Sequence, residues 1–262
     1  MPSGLTITLV QSTLAWEDAD ANLNHFTGLL NPVSCTDIIV LPEMFTTGFS
    51  MKPELLAEES YTKGLAWMMK TAAEKAVVLC GSMMCREGDK YYNRLVWMPP
   101  NGQFLTYDKR HLFTLGDEHS HYSPGQTSFV VEYKGVKIKP LICYDLRFPV
   151  WSRNVMQKNE PVYDLLIYVA NWPERRIMHW EKLLQARAIE NVCYVAGVNR
   201  IGNDGNGMAH NGRSMFCNYK GEPTMLTDNE TCLASFTVDT EELNGYRKAF
   251  PALGDGDTFT LL

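Results

Sequence analysis

The sequence predicts a mixed α/β fold in which helices lie outside a system of sheets. Early in the chain, short runs rich in Val, Ile and Leu alternate with stretches of helical period, and later strand-like runs come in hairpins. Tight-turn dipeptides mark the hairpins: Asn101-Gly102, Lys134-Gly135 and Lys220-Gly221. No segment has the Pro, Gly or Ser content of a linker, so residues 1–262 read as one domain.

Strand-like runs cover residues 5–10, 37–41, 77–82, 94–98, 104–107, 129–133, 136–142, 165–170, 192–198, 214–218 and 233–238. Helical period is clearest after Thr62, where Trp67, Met68, Ala72 and Ala76 form an apolar stripe, and after His179, where Trp180, Leu183, Leu184, Ala188 and Ile189 do the same. Residues 20–30 and 150–158 read as two further helices, the second starting just after a polar turn that begins at Cys143.

Composition narrows the function. The hydrophobic share of 45% supplies ample core. A net charge of -6 without any Lys/Arg cluster argues against nucleic acid as a partner. No apolar stretch reaches the roughly 20 residues that span a bilayer, and the amino end reads as a first strand instead of a signal peptide. Seven scattered cysteines without CxxC spacing read as free thiols in a reducing cytoplasm.

Three apolar runs end in a reactive side chain. Val136-Lys-Ile-Lys-Pro-Leu-Ile-Cys143 leaves a thiol where a strand gives way to a turn, a setting that exposes it to substrate. Ile38-Ile-Val-Leu-Pro-Glu43 delivers a carboxylate, and Phe104-Leu-Thr-Tyr-Asp-Lys109 an ammonium. The carboxyl ends of strands are where α/β folds gather their chemistry. A thiol, a carboxylate and an amine meeting there point to a cysteine hydrolase with Glu43 as base and Lys109 as electrostatic clamp.

Cys80 and Cys193 sit inside apolar runs and read as packed core thiols, the ordinary fate of a free cysteine. Cys143 differs because its strand–turn–helix setting follows the logic of a nucleophile elbow. A helix starting there lowers a thiol's pKa. Glu43 is flanked by Leu41, Pro42, Met44 and Phe45, and apolar surroundings raise a carboxyl toward the range of a general base at neutral pH. Lys109 reads either as part of a charged surface turn or as a cation that stabilises an oxyanion by a few kcal/mol. The histidines at 25, 111, 119, 121, 179 and 210 fit no metal-binding spacing, so Glu118, His119 and His121 read as a polar loop. Residues 202–207 are Gly-rich and read as a flexible turn, not a phosphate loop. No papain-like or caspase-like signature surrounds any cysteine.

Leu41-Pro-Glu43, Tyr107-Asp-Lys-Arg-His-Leu-Phe113 and Ile142-Cys-Tyr-Asp-Leu-Arg-Phe148 resemble, in order and spacing, the three signature segments of the nitrilase superfamily, the carbon–nitrogen hydrolases. Asp117-Glu-His-Ser-His-Tyr-Ser-Pro-Gly125, Ala170-Asn-Trp-Pro173, Gln185-Ala-Arg-Ala-Ile-Glu-Asn191 and Asn199-Arg-Ile-Gly-Asn-Asp-Gly-Asn206 resemble its bacterial omega-amidase branch. The resemblance implies a four-layer α-β-β-α sandwich, commonly a homodimer, that uses no metal or organic cofactor. It implies Glu43 as base, Lys109 as clamp, Cys143 as nucleophile and Glu118 as a second carboxylate, with the backbone N–H of Tyr144 helping Lys109 hold an oxyanion. The implied substrate is a small dicarboxylate monoamide such as 2-oxoglutaramate or 2-oxosuccinamate. Another small amide such as deaminated glutathione, and a non-catalytic binding protein on the same fold, are the alternatives. A distal carboxylate calls for a cation, for which Arg175 and Arg176 are candidates, while Phe113 and Trp172 are placed to close a pocket around a short chain.

Overall fold

The computed structural model describes residues 4–257 and 259–260 and arranges the apolar runs in two six-stranded sheets. The first half contains β1 (Leu5–Gln11), α1 (Ala19–Leu30), β2 (Ile38–Val40), α2 (Pro53–Lys75), β3 (Val78–Glu87), β4 (Lys90–Met98) and β5 (Leu105–Asp108). Next come α3 (Glu118–His121), β6 (Val131–Tyr133), β7 (Val136–Ile142), α4 (Pro149–Ser152), β8 (Met156–Gln157), β9 (Glu160–Pro161), β10 (Leu165–Ala170) and α5 (Ile177–Asn191). The last third contains β11 (Tyr194–Asn199), β12 (Ile201–Asn203), β13 (Ala209–Asn211), β14 (Met215–Cys217), β15 (Pro223–Met225), β16 (Cys232–Val238) and α6 (Thr240–Ala249).

One sheet runs β16-β1-β2-β3-β4-β5 and the other β15-β14-β11-β10-β7-β6. Their centres are parallel: Ile7 of β1 stands opposite Ile38 of β2, and Leu165 of β10 opposite both Ile138 of β7 and Tyr194 of β11. Parallel strands are covered on both faces, which is why they appear in the sequence as continuous apolar runs. Along β2, Ile38 and Val40 enter the core between the sheets. Ile39 and Leu41 turn the other way, onto Phe26 and Leu30 of α1 and Met68 and Ala72 of α2. Trp180, Leu184 and Ala188 of α5 cover the second sheet. A Cβ at Gly197 of β11 would lie 2.6 Å from Leu184 and 2.7 Å from Trp180, so only glycine lets α5 approach this closely. The layers are therefore helix, sheet, sheet, helix.

Two helix expectations need correction. Residues 150–158 are not one helix, because α4 ends at Ser152 and a β8–β9 hairpin comes next. Asn154 is responsible. Its side-chain amide donates to Tyr163 O at 3.0 Å and Asn191 O at 3.1 Å, and its oxygen accepts from Val162 N at 3.1 Å. Lys158 and Asn159, with φ of 51° and 65°, then close the hairpin turn. Helix α2 begins well before Thr62, at Pro53, a residue suited to a first helical turn because its missing N–H is not needed there.

Candidate active site

Each reactive side chain sits just past the carboxyl end of a strand. Leu41 and Pro42 carry the chain from β2 to Glu43, Lys109 comes directly after β5, Cys143 after β7 and Asn171 after β10. Two of these come from each sheet, and all four line one cavity of about 140 Å³. Tyr144, Phe113, Trp172, Arg175 and Arg176 line it as well.

Cys143 opens a short 3-10 turn, Cys143–Arg147, and its φ of +40° is a left-handed conformation that non-glycine residues rarely adopt. Asp145 fixes this elbow. Its carboxylate accepts from Ile142 N at 3.1 Å and Tyr107 OH at 2.6 Å on one oxygen, and from His111 N at 3.1 Å on the other. The turn that carries Cys143 is thus tied to the segment that carries Lys109.

The thiol is more enclosed than a position after a strand suggests, with only 9% of the residue exposed. Burial, then the neighbouring Glu43 carboxylate, push the Cys143 pKa well above the ordinary thiol value, and Lys109 only partly opposes them. The expected lowering is therefore overturned. A five-residue 3-10 turn supplies little helix dipole, and the nearby carboxylate outweighs it. The resting group is a thiol that needs a base.

Lys109 Nζ donates to Glu43 Oε1 at 2.8 Å and to Glu118 Oε1 and Oε2 at 3.0 and 2.9 Å. All three side chains are fully buried. Burial alone would lower the lysine pKa, but Glu118 and Glu43 together outweigh it and hold the ammonium charged. Burial raises the Glu118 pKa, Lys109 pulls it down, and the Glu43 charge adds to the rise. One excess negative charge is shared in a dry cluster. Glu118 is further fixed by Phe113 N at 2.6 Å.

Glu43 does not sit among apolar groups. Leu41 and Phe45 point into the helix-side core and Met44 into another cluster, while the carboxylate points the opposite way. There it meets donors: Asn93 Nδ2 at 2.8 Å on Oε1, and Asn171 N at 2.8 Å on Oε2. Asn93 Nδ2 also reaches Glu118 Oε1 at 3.2 Å, placing one neutral donor between both carboxylates.

At the cavity mouth, Arg176 lies over the Phe113 ring at 5.1 Å, and Trp172 Nε1 donates to Arg176 O at 2.8 Å. The Gly-rich segment 202–207 is an ordered wall, not a free turn. Asp204 Oδ1 accepts from Asn206 N and Met208 N at 2.8 Å each, and Asp204, Asn206, Met208 and His210 all face the cavity. Burial pushes the His210 pKa down to about 4. Sequence reasoning missed Asn93, Asp145, Arg147, Asn171 and His210. Among the described residues, no group of three or more His, Cys, Asp or Glu is arranged to hold a metal ion.

The carbon–nitrogen hydrolase family profile matches residues 6–248. The chain is 44% identical to the omega-amidase YafV of Escherichia coli K12, over 98% of this chain and 99% of that one. It is 34% identical to the 2-oxoglutaramate amidase of Bacillus subtilis, over 95% and 96% of the two chains. It also superposes on the crystal structure of XC1258 from Xanthomonas campestris, a CN-hydrolase superfamily protein with an arsenic adduct in its active site. The TM-score is 0.96, with 40% identity and coverage of 98% and 99%. With this match over nearly its whole length, the chain belongs to the carbon–nitrogen hydrolase family.

Proposed function

We propose that the protein is an omega-amidase, hydrolysing the terminal amide of short dicarboxylate monoamides of the 2-oxoglutaramate or 2-oxosuccinamate kind to acid and ammonia. One observation carries this reading: the buried Lys109 ammonium bridges two carboxylates in the cavity that holds Cys143, and arginines line the same cavity. The similarity to YafV and to the B. subtilis amidase supports the substrate class.

In the proposed reaction, Glu43 takes the Cys143 proton as sulfur attacks the amide carbon, because the raised thiol pKa leaves little thiolate to react unaided. Lys109 and the Tyr144 N–H hold the oxyanion. As the second residue of a 3-10 turn, Tyr144 precedes the first N–H that finds an acceptor within the turn, which leaves its own N–H available. Glu43 returns the proton to the leaving nitrogen, ammonia departs and a thioester remains. Water then enters, loses its proton to Glu43 and attacks the thioester, and the departing sulfur recovers that proton. Asn93 and Glu118 keep Glu43 and Lys109 aligned throughout. No step calls for a metal or organic cofactor.

Arg176, with Phe113 and Trp172, forms the proposed substrate-binding end. The proposal treats residues 1–262 as one carbon–nitrogen hydrolase domain, assembled as a homodimer. Seven free cysteines fit a reducing cytoplasm, and among the described residues no helix is long and apolar enough to cross a membrane. Measuring ammonia release across ω-monoamides, with simple amides and peptides as controls, tests the activity. Preference for a monoamide with a free distal carboxylate is expected, and equal rates on its methyl ester would contradict it. Sedimentation of the purified protein tests the dimer.

A further inference from the structure

Three guanidinium groups, those of Arg147, Arg175 and Arg176, line the cavity that holds Cys143. Among the described residues, the ion pairs formed by arginines involve others: Arg86, Arg94, Arg187, Arg213 and Arg247. The cavity therefore has two unlike ends. One end carries Glu43 beside the Lys109 ammonium, which Glu118 holds from behind, and the other carries three arginines that form no ion pair with a carboxylate among the described residues, with Asp204 as the one other carboxylate in the lining. Such a field orients an anionic monoamide, with its charged end at the arginines and its amide at Cys143.

Arg147 is the best placed of the three. It closes the same 3-10 turn that Cys143 opens, so its backbone is fixed relative to the nucleophile. Its guanidinium lies 4.7 Å over the Trp172 ring and 6.0 Å from the Tyr144 ring, which holds it by its face and leaves its in-plane N–H groups available. Among the described residues its side chain makes one hydrogen bond: Nη2 to His179 Nδ1 at 3.2 Å, where the imidazole nitrogen must accept because a guanidinium only donates. Arg176 covers Phe113 instead, and Arg175 is exposed.

We propose that Arg147 is the specificity-determining residue that takes the substrate's distal carboxylate in a bidentate pair, an inference that rests on the omega-amidase reading above. Neither the carboxylate preference of the active site nor the elbow chemistry requires this particular residue. Arg176 then shapes the aromatic wall and adds positive potential.

The test compares two straight-chain monoamides of equal length, one ending in a carboxylate and one in a methyl group, on wild type, Arg147→Gln, Arg147→Lys and Arg176→Gln. Arg147→Gln is expected to lower kcat/KM on the carboxylate substrate about 10²-fold, from the loss of charge-assisted hydrogen bonds. It should leave the methyl-ended amide within about threefold of wild type, an unpaired neutral end having no such bond to lose. Arg147→Lys keeps the charge without the fork and should fall between. A carboxylate preference that survives in Arg147→Gln, or that collapses in Arg176→Gln instead, would overturn the assignment while leaving the omega-amidase reading intact. Equal loss on both substrates in Arg147→Gln would overturn it too, by making Arg147 a scaffold residue. Absence of any carboxylate preference in wild type would sink the omega-amidase reading and this inference with it.

Discussion

Lys109 Nζ stands 2.8 Å from Glu43 Oε1 and 2.9 Å from Glu118 Oε2, and none of the three side chains is exposed to solvent. A lone ammonium in this position would be driven toward neutrality by burial, and two lone carboxylates would repel each other. Together they form one cluster in which each charge depends on the others. The same residue is thus placed to steady the fold and to meet an oxyanion.

Lys109→Met separates these roles only in part. It leaves two buried carboxylates without their cation, which should cost about 3–5 kcal/mol of stability as well as turnover. Urea unfolding at neutral pH, set beside kcat, checks this. A variant as stable as wild type would contradict the account of the cluster.

Glu43→Gln keeps the shape and an acceptor for Lys109 but cannot take a proton. We expect kcat to fall about 10²- to 10⁴-fold with little change in KM. A raised KM with kcat intact would remove Glu43 from the chemistry.

Glu118→Gln retains the bond length but discards one charge of the cluster. A folded protein with strongly reduced turnover is expected, and iodoacetamide should still label Cys143 because the Glu43–Cys143 pair is untouched. Wild-type turnover in this variant would return Glu118 to a purely structural part.

Lys139 gives a pH prediction away from the cavity. Buried against Trp151 O at 2.8 Å, its pKa falls to about 8 through burial, with Asp145 opposing. Below that pH the folded state carries the whole cost of the buried charge. Between about 8 and the ordinary lysine value the unfolded chain binds more protons, so this group's contribution to stability rises with pH. Lys139→Met should therefore be more stable than wild type at pH 7, by an amount on the order of 3 kcal/mol, and the gap should shrink toward pH 10. Denaturant unfolding of both proteins at the two pH values measures it, and a gap independent of pH would be the contrary result.

Glu43, Lys109 and Cys143 were legible because each stands just past an apolar run, where chain order alone predicts a strand's carboxyl end. Asn93 was not, since it lies inside β4 and reaches Glu43 across 50 residues of sequence. Asn171 meets Glu43 across 128 residues, a contact that exists only once the two sheets face each other. The direction of the Cys143 pKa shift was misread for the same reason: the burial that raises it most, and the Glu43 carboxylate that adds to the rise, exist only once the two sheets face each other. The helix expected over 150–158 failed because one side chain, Asn154, binds backbone groups on two distant segments, at Val162 and Tyr163 and at Asn191. A sheet system with helices outside it was legible, because two-sided burial writes continuous apolar runs into β2 and β10, whereas the four layers were implied only by the family resemblance.

The central claim is a thioester on Cys143 formed with Glu43 as base. Rapid quenching of wild type during turnover of a short ω-monoamide, then intact-protein and peptide mass spectrometry, tests it most directly. The account predicts an acyl adduct, equal to the substrate less ammonia, on the peptide carrying Cys143, and neither adduct nor ammonia from a folded Cys143→Ala variant. An adduct on another residue, or undiminished ammonia release by Cys143→Ala, would contradict it.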